Sequence, residues 1–380
     1  MTGVSITGVG MTPFTASADR SVVELTTDAA VAALEDASLE PSEATSLHVG
    51  AALPEALETQ GGIANAVTAS LGLEGVRADR VENTSASGAS AVHRAVDAVA
   101  SDSSQTALVV GVEKMSLGET ADVTEAMSRL VHEREYDQGL TLPSFAGLAA
   151  GQYLERYDAP REALSAVAVK NHANAASNPV AQLQREITVE GVRDSPLVAD
   201  PLRLYDCCPM SDGAAALVLS AEPTADSVHI ASVGSATGTH AIADRSDPIE
   251  IASVRHAGER TFEAAGLEPA AVDVACIHDA FTILELLELE ELGFYDRGTA
   301  WEATLEGKTQ RDGELPVNPG GGLKARGHPL GATGISQLIE LTWQLRGDLP
   351  DDRRVTDPEI GFAINVAGFG NNSVCTLLEQ

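Results

Sequence analysis

Two segments of this sequence occur twice, in the same order and at similar spacing. The run LEDASLEP at 34–41 is matched by FEAAGLEP at 262–269, an offset of 228 residues. Further along, SASGAS at 85–90 is matched by HPLGAT at 328–333, an offset of 243 residues. Chance similarity between small residues could account for one match. Two matches in one order indicate that the two halves of the chain share a topology.

Each half alternates segments that have the patterns of strands and helices. In the first half, apolar runs predict strands at 4–9, 47–52 and 107–112, with helices at 21–37 and 62–71 between them. The strands are apolar without alternation, which is typical of a mainly parallel sheet covered on both faces. With 380 residues, the chain also exceeds the about 250–300 residues at which a single core usually stops growing. We therefore expect an α/β fold built from two duplicated halves.

An additional segment separates the two halves. Helical patterns around 121–131 and 159–176 precede the apolar strand 211–220, which by the alternation belongs to the sheet of the first half. The chain therefore leaves the first half and returns to it. We predict three parts: an N-terminal half of residues 1–115 plus 206–222, an inserted loop domain of residues 116–205, and a C-terminal half of residues 223–380.

The sequence carries 56 acidic and 24 basic residues, a formal net charge of −32. Because 44% of the residues are hydrophobic, we expect a folded core under an acidic surface rather than a disordered chain. We interpret this surface as adaptation to a salt-rich cytoplasm, where ions screen the repulsion. The same charge argues against nucleic acid as a partner, since phosphate binding needs clustered lysine and arginine.

Membrane segments and metal sites are also not expected. No run approaches the about 20 apolar residues of a membrane span, and the first residues lack the pattern of a signal peptide. We therefore expect a cytoplasmic protein without membrane association. The cysteines form no CxxC pair, so we expect free or buried thiols and no metal site; they are Cys207, Cys208, Cys276 and Cys375.

The run VENTSASGASAVHRAV at 81–96 predicts a strand that turns into a helix at Ser85. Backbone N–H groups at a helix N-terminus have no intrahelical partner and favour a nucleophile or an oxyanion beside them. Ser85 is therefore either a helix cap or a nucleophile. In a duplicated fold the matching turn at His328 approaches the same pocket, where a histidine can take the proton of a serine hydroxyl.

Two further segments contribute to such a pocket. His278 directly follows the predicted strand 272–277, and open α/β sheets bind ligands at the carboxyl ends of their strands. The glycine-rich run NVAGFGNN at 365–372 offers backbone N–H groups that can stabilise an oxyanion. The sequence thus predicts a site that contains a serine, two histidines and a glycine-rich turn.

Five motifs resemble the thiolase family and follow the order of that family over most of the chain. They are GVEKMS at 111–116, SDGAAALVL at 211–219, HDAF at 278–281, VNPGGG at 317–322 and GHPLGATG at 327–334. The HDAF form is similar to the archaeal and sterol-carrier-type branch. The resemblance implies a duplicated, five-layered αβαβα thiolase fold with an inserted loop domain, assembled as a homo-oligomer, dimer or tetramer. It also implies CoA and acyl-CoA as substrates, and no permanently bound cofactor.

The sequence departs from the family at two positions. Ser85 stands where thiolases carry the nucleophilic cysteine, and Asn365 stands where many carry a second, proton-transferring cysteine. By resemblance, His328 activates the nucleophile. His278 either orients the acyl oxygen or removes a proton from the second acyl-CoA. Since a hydroxyl is far less acidic than a thiol, Ser85 depends on a positioned base more than cysteine would.

Neighbouring residues complete the site that the resemblance implies. The peptide N–H groups of Ser85 and Ala367, next to Gly368, match an oxyanion hole of the family. Phe281 and the stretch 140–149 are expected to line the path of the acyl chain or the pantetheine arm. The phosphates of CoA need positive charge, for which there are four candidates: Arg193, Arg203, Lys324 and Arg326.

The motifs together predict an acyl-CoA C-acyltransferase that acts through a seryl acyl-enzyme, either an acetyl-CoA acetyltransferase or a short-chain 3-oxoacyl-CoA thiolase. Members of the archaeal branch are often accompanied by a small OB-fold, zinc-ribbon-type protein, so we expect such a partner. Three alternatives remain open: a 3-oxoacyl synthase, an inactive paralogue, and a non-catalytic acyl-CoA-binding subunit that scaffolds the partner.

We expect the melting temperature of the protein to rise as KCl is raised from millimolar to multimolar concentration, because ions screen the repulsion between acidic side chains. Thermal unfolding followed by circular dichroism across this range, together with an activity assay, tests the expectation. Full activity and an unchanged melting temperature without salt would contradict salt adaptation.

Overall fold

The computed structural model describes residues 2–57, 61–103, 105–118 and 120–380. The strands are β1 (Ser5–Met11), β2 (Ser46–Gly50), β3 (Arg77–Val81), β4 (Thr106–Lys114), β5 (Leu197–Ala199), β6 (Leu202–Arg203), β7 (Asp212–Ser220), β8 (Val228–Thr237), β9 (Val274–Cys276), β10 (Ile360–Ala367) and β11 (Asn372–Glu379). The helices are α1 (Val22–Asp36), α2 (Pro54–Leu57), α3 (Ile63–Leu71), α4 (Ser87–Ser101), α5 (Thr120–Ser128), α6 (Glu133–Tyr136), α7 (Leu142–Arg156), α8 (Glu162–Ala176), α9 (Val189–Asp194), α10 (Ala252–Ala265), α11 (Thr282–Glu291), α12 (Ala300–Leu305) and α13 (Leu330–Arg346). The five elements predicted for the first half all form, with ends shifted by one or two residues.

The strands of the described residues form a nine-stranded sheet in the order β3-β2-β4-β7-β1-β8-β11-β10-β9. On one side, β3, β2 and β4 are parallel, and β7 runs antiparallel between β4 and β1. On the other side, β9 and β10 are parallel, and β11 runs antiparallel between β10 and β8. A parallel bridge from Ala275 to Val317 lies where β3 lies in the first half. The topology of the first half is therefore repeated, as the two matched segments predict.

We call β3, β2, β4, β7 and β1 the first side of the sheet, and β8, β11, β10 and β9 the second side. Helices lie in three layers, one between the two sides and one on the outer face of each. The buried side chains of α4 and α13 pack between the two sides, against strands that include β4, β7 and β10. The outer face of the first side is covered by α1 and α3, and that of the second by helices that include α10 and α11. This arrangement gives five layers, αβαβα, with the paired helices α4 and α13 in the middle.

The first turns of α4 and α13 meet at glycines. A Cβ atom at Gly331 of α13 would overlap the carbonyl oxygens of Gly50 and Val112, which lie at the ends of β2 and β4. A Cβ at Gly88 of α4 would overlap the carbonyl oxygen of Gly331. The two halves can therefore approach this closely only because side chains are missing at the crossing.

The segment between β4 and β7 contains α5 to α9 and the short β5–β6 pair. Its helix α8 anchors loops of the second half: Asn171 Nδ2 donates to Asp279 Oδ2 at 2.7 Å, and Asn174 Nδ2 donates to the carbonyl of Asn318 at 3.0 Å. The chain then returns through β7 to the sheet of the first half, as predicted. The exact division of the chain into domains stays a prediction.

No helix in the described ranges is long and apolar enough to cross a membrane. Those ranges also contain no group of three or more His, Cys, Asp or Glu side chains that could hold a metal ion.

We expect Gly331→Ala to lower the free energy of unfolding by about 3 kcal/mol, because the new methyl group forces apart backbone atoms of both halves. Denaturant unfolding measures this. Gly151→Ala is the matched control, since Gly151 lies in α7 and a Cβ there would make only an ordinary contact, 3.9 Å from Pro201 Cδ. There alanine should stabilise the helix by up to about 1 kcal/mol. Equal stability of the two variants would contradict the steric account.

Candidate active site

A cavity of about 250 Å³ opens where the first turns of α4 and α13 meet. Its wall includes Ser85, His278, His328, Phe281 and Gly368. The structure therefore brings five of the residues singled out from the sequence into one space, although they come from segments far apart in the chain.

Ser85 lies in a 3-10 turn, Thr84–Ala86, that leads directly into α4. The N-cap of α4 is Ala86, and no side chain caps this end of the helix. The helix-cap alternative for Ser85 is therefore wrong. Thr84 has a φ of +45°, in the left-handed region that β-branched residues rarely adopt. The chain thus accepts backbone strain to place the Ser85 side chain at the cavity, a feature common at functional turns.

His328 lies immediately before α13, and its side chain is buried. Its Nδ1 is 2.7 Å from Thr333 Oγ1, and the Thr333 hydroxyl donates to the carbonyl oxygen of Pro329 at 2.8 Å. A hydroxyl has one proton, so Thr333 must accept from His328 Nδ1–H. The neutral ring therefore carries its proton on Nδ1, and its Nε2 has a free lone pair that can accept a proton.

His278 has the opposite arrangement. The backbone N–H of Val366 donates to His278 Nδ1 at 3.3 Å, and Asn365 Nδ2 lies 2.9 Å from the same atom. A backbone N–H can only donate, so Nδ1 of His278 is an acceptor and the neutral ring carries its proton on Nε2. His278 is thus a hydrogen-bond donor, and Asn365 serves to orient it.

Both rings are neutral near neutral pH. Burial, with a smaller contribution from Arg326, lowers the pKa of His328 to about 3. Burial and then the adjacent His328 hold the pKa of His278 well below its ordinary value. The two rings meet edge to face, with centroids 5.1 Å apart and an interplanar angle of 87°. An acceptor ring and a donor ring are therefore neighbours in one cavity.

Buried carboxyl groups hold the loop that carries His278. Glu288 Oε2 accepts the backbone N–H of His278 at 2.9 Å. Asp279 accepts the backbone N–H groups of Leu323 and Lys324 at 2.6 and 3.2 Å. Burial and a second buried carboxylate nearby raise the pKa of Asp279 to about 6. These bonds connect the His278 loop to the turn that precedes His328.

The glycine-rich run 365–372 begins in the last residues of β10 and continues past its end, next to the Ser85 turn. Ala367 packs against Ala86 and Ala89 of that turn and helix. Gly368 lines the cavity with a φ of +59°, in the left-handed region that favours glycine. This packing brings the two peptide segments of the expected oxyanion hole together, and the role of their N–H groups stays a prediction.

Much of the remaining wall is apolar. Met115, Met127 and Met210, three of the five methionines, line it beside Phe281. The N-terminal part of the predicted stretch 140–149 also lies on the wall. The methionines could not be predicted as wall residues, because they are spread over two segments and belong to no shared sequence pattern. Flexible methionine side chains suit a pocket that must fit an apolar chain.

Cys207 and Cys208 also line the cavity, a position that their spacing in the sequence did not indicate. Both thiols are free, and burial raises the pKa of each to about 12. They are therefore protonated near neutral pH and poor nucleophiles.

The four basic candidates do not line the cavity. Arg193 is 65% exposed and pairs with the neighbouring aspartate. Lys324 is buried, with its ammonium group 5.9 Å from the centre of the Tyr205 ring. Arg203 and Arg326 donate to backbone carbonyls at 2.7 and 3.1 Å. Their contribution to CoA binding stays a prediction.

Two family models match the chain, "Thiolase, N-terminal domain" over residues 4–223 and "Thiolase C-terminal domain-like" over residues 234–380. The chain is 40% identical to an acetyl-CoA acetyltransferase of Methanothermobacter thermautotrophicus, over 100% of both chains. It is 37% identical to an acetyl-CoA acetyltransferase of Methanocaldococcus jannaschii, over 99% of this chain and 98% of that protein.

Among solved structures, the Ltp2-ChsH2(DUF35) aldolase is similar, with a TM-score of 0.85. The sequences are 27% identical, and the similarity covers 100% of this chain and 98% of that chain. The likeness therefore includes both halves and the segment between them.

The two histidines should give different imidazole spectra. In protein labelled with ¹⁵N-histidine, we expect His328 as the Nδ1–H tautomer and His278 as the Nε2–H tautomer, because Thr333 and Val366 fix them. Neither ring should titrate near the ordinary histidine pKa of about 6.5. His278→Gln and His328→Gln variants assign the signals. A shared tautomer, or a ring that titrates near its ordinary pKa, would contradict the assignment.

Proposed function

The chain belongs to the thiolase family, and we propose that it transfers acyl groups between CoA thioesters, as an acetyl-CoA acetyltransferase or a short-chain 3-oxoacyl-CoA thiolase. Membership of the family confirms the fold class and the acyltransferase class that the motifs predict. The proposed substrates are CoA and acyl-CoA, and no permanently bound cofactor is part of the proposal.

One observation carries the proposal, namely that the two histidines of the cavity have opposite hydrogen-bonding roles. Thr333 leaves His328 Nε2 free to accept a proton, and Val366 leaves the proton of His278 on Nε2. Acyl transfer from a serine needs one base for the hydroxyl and one donor for a developing oxyanion. The cavity supplies both beside Ser85.

In the proposed first half-reaction, Ser85 Oγ attacks the carbonyl carbon of an acyl-CoA while His328 Nε2 takes the hydroxyl proton. The peptide N–H groups of Ser85 and Ala367 stabilise the tetrahedral oxyanion. The C–S bond then breaks, and CoA leaves with the proton that His328 returns. The acyl group is now an ester of Ser85, and His328 is neutral again.

In the second half-reaction, His328 Nε2 removes a proton from Cα of a second acyl-CoA, and His278 Nε2–H stabilises the enolate oxygen. The Cα carbanion attacks the ester carbonyl. Ser85 Oγ leaves and recovers a proton from His328, which releases a 3-oxoacyl-CoA. Thiolysis runs through the same steps in reverse. Of the two roles considered for His278, orientation of the oxygen is the one its tautomer supports.

A small OB-fold, zinc-ribbon-type protein is the proposed partner. The similar solved structure is that of an Ltp2-ChsH2(DUF35) aldolase, a name that joins two components. In this chain, Val198, Leu204 and Met210 are exposed and also line the cavity wall. Exposed apolar side chains at a cavity mouth favour a protein partner there.

We further propose a homo-oligomer in a salt-rich cytoplasm. The strand β3 is at the edge of the sheet. A second copy docked at this edge would pair with the backbone N–H and C=O groups that β3 leaves open. A monomeric mass by sedimentation at every salt concentration would contradict this.

We expect Ser85→Ala to lower kcat for acetoacetyl-CoA thiolysis by at least about 1000-fold, because the acyl-enzyme can no longer form. Ser85→Cys should retain activity, since the thiol is the stronger nucleophile. The assay is run at high salt, with and without the partner protein.

Ser101→Ala is the matched control, because Ser101 is an exposed serine at the far end of the same helix. It should have the kcat of the natural enzyme. If Ser85→Ala equals the natural enzyme in both settings, the nucleophile assignment is wrong. If the natural protein has no activity in either setting, a non-catalytic acyl-CoA-binding subunit is the better description.

A further inference from the structure

Glu113 is a buried carboxylate that joins two segments far apart in the chain. It lies near the end of β4, in the GVEKMS motif, and is 2% exposed. Its Oε1 accepts the backbone N–H of Leu53 at 2.9 Å, and its Oε2 accepts those of Ala52 at 2.9 Å and Gly331 at 3.1 Å. One side chain thus binds the loop after β2 and the first turn of α13.

The bond to Gly331 matters because of where it lies. The N–H groups in the first turn of a helix have no acceptor within the helix, and this end of the helix favours a negative charge. Gly331 belongs to the same turn as Pro329 and Thr333, whose oxygens fix the tautomer of His328. Glu113 therefore acts on the segment that determines the position of His328, without contact with the cavity.

The other end of this connection reaches the edge of the sheet. Arg80 of β3 donates to the carbonyls of Ala51 and Ala52 at 3.1 and 3.2 Å, and pairs with Glu55 of α2. The loop after β2 is thus held by Arg80 through its carbonyls and by Glu113 through its N–H groups.

Few charges compensate Glu113. Arg80 is the nearby cation that lowers its pKa, and three backbone N–H groups act in the same direction. Two further charged groups lie near it in the sheet: Lys114 follows Glu113 on β4, and Asp212 on β7 is paired with Lys114. Burial outweighs the favourable contacts and raises the pKa of Glu113 to about 7.

We propose that Glu113 is a positioning residue for His328, and that its ionised form holds the first turn of α13 in the geometry that acyl transfer requires. Protonation removes the negative charge that strengthens all three bonds and places an O–H where a backbone N–H is accepted, so the bond to Gly331 weakens. The effect on turnover rests on the proposed function, whereas the effect on the turn itself does not.

The two histidines of the cavity cannot account for a change near neutral pH, and Asp279, with a pKa of about 6, titrates below Glu113. His328 titrates at about 3, and the pKa of His278 lies well below its ordinary value. Glu113 is ionised above its pKa and protonated below it. The stabilisation of the first turn of α13 by ionised Glu113 is therefore fully present at alkaline pH and is lost as the pH falls through about 7.

Hydrogen exchange of the natural protein tests whether ionised Glu113 stabilises the first turn of α13. Peptides that cover 328–333 are followed about one unit below and one unit above the pKa of Glu113, with correction for the intrinsic exchange rate. We expect less protection of the Gly331 amide at the lower pH. In Glu113→Gln, protection should be low at both pH values. Equal protection of the natural protein at both would overturn the proposal, whatever the enzyme catalyses.

Steady-state kinetics test whether ionised Glu113 also raises the rate of acyl transfer. For the natural enzyme, we expect kcat for thiolysis to fall by up to about tenfold per pH unit below the pKa of Glu113, with KM little changed. Glu113→Gln should remove this limb and lower kcat at alkaline pH by about 10- to 100-fold, because a small displacement of a base is costly. Glu113→Asp, which keeps the charge, should recover part of the alkaline rate.

Glu74→Gln is the matched control, because Glu74 is exposed in the loop before β3 and should leave the profile unchanged. An unchanged acid limb in Glu113→Gln, or the natural kcat in that variant at alkaline pH, would overturn the positioning role. If the natural protein is inactive but shows the expected exchange pattern, the proposed function is wrong. The stabilisation of the first turn of α13 by Glu113 would still stand.

Discussion

The contact on which this structure depends is the one between the first turns of α4 and α13. Each helix follows a strand and a small-residue turn in its own half of the duplicated fold, and the two turns meet because Gly88 and Gly331 have no side chains. That meeting creates the cavity and places Ser85 and His328 on its wall. Any bulk added at the crossing would separate the nucleophile candidate from its base, so packing and chemistry are fixed by the same atoms.

Around that contact, ordinary hydrogen bonds give two identical side chains different roles. His328 and His278 are both buried and both neutral near neutral pH. The hydroxyl of Thr333 makes one an acceptor, and the backbone N–H of Val366 makes the other a donor. In the proposed mechanism this difference replaces the two thiols that most thiolases use. A serine is a weaker nucleophile than a cysteine, which makes the position of His328 more important than it would be in a cysteine enzyme.

The sequence predicted the duplicated topology, the family and the residues that meet in the cavity, because repeats and motifs are local patterns. It could not distinguish a helix cap from a nucleophile candidate on the cavity wall at Ser85, since that depends on the backbone of Thr84 and Ala86. It also did not show that Thr333 sets the tautomer of His328, because Thr333 is only one of several small residues in GHPLGATG. Lys324 was a candidate phosphate ligand by charge and proximity to a motif, yet it is buried. Burial is set by contacts between distant segments, which a pattern of charges does not report.

The central claim is that the acyl group passes through an ester of Ser85. The most direct test is to mix the protein with acetyl-CoA at high salt, quench with acid, and locate the acetyl group by peptide mass spectrometry. We expect one acetyl group on the peptide that contains Ser85, and none on that peptide in the His328→Gln variant. Acetylation of Cys207 or Cys208, which line the same cavity, with Ser85 unmodified, would contradict it.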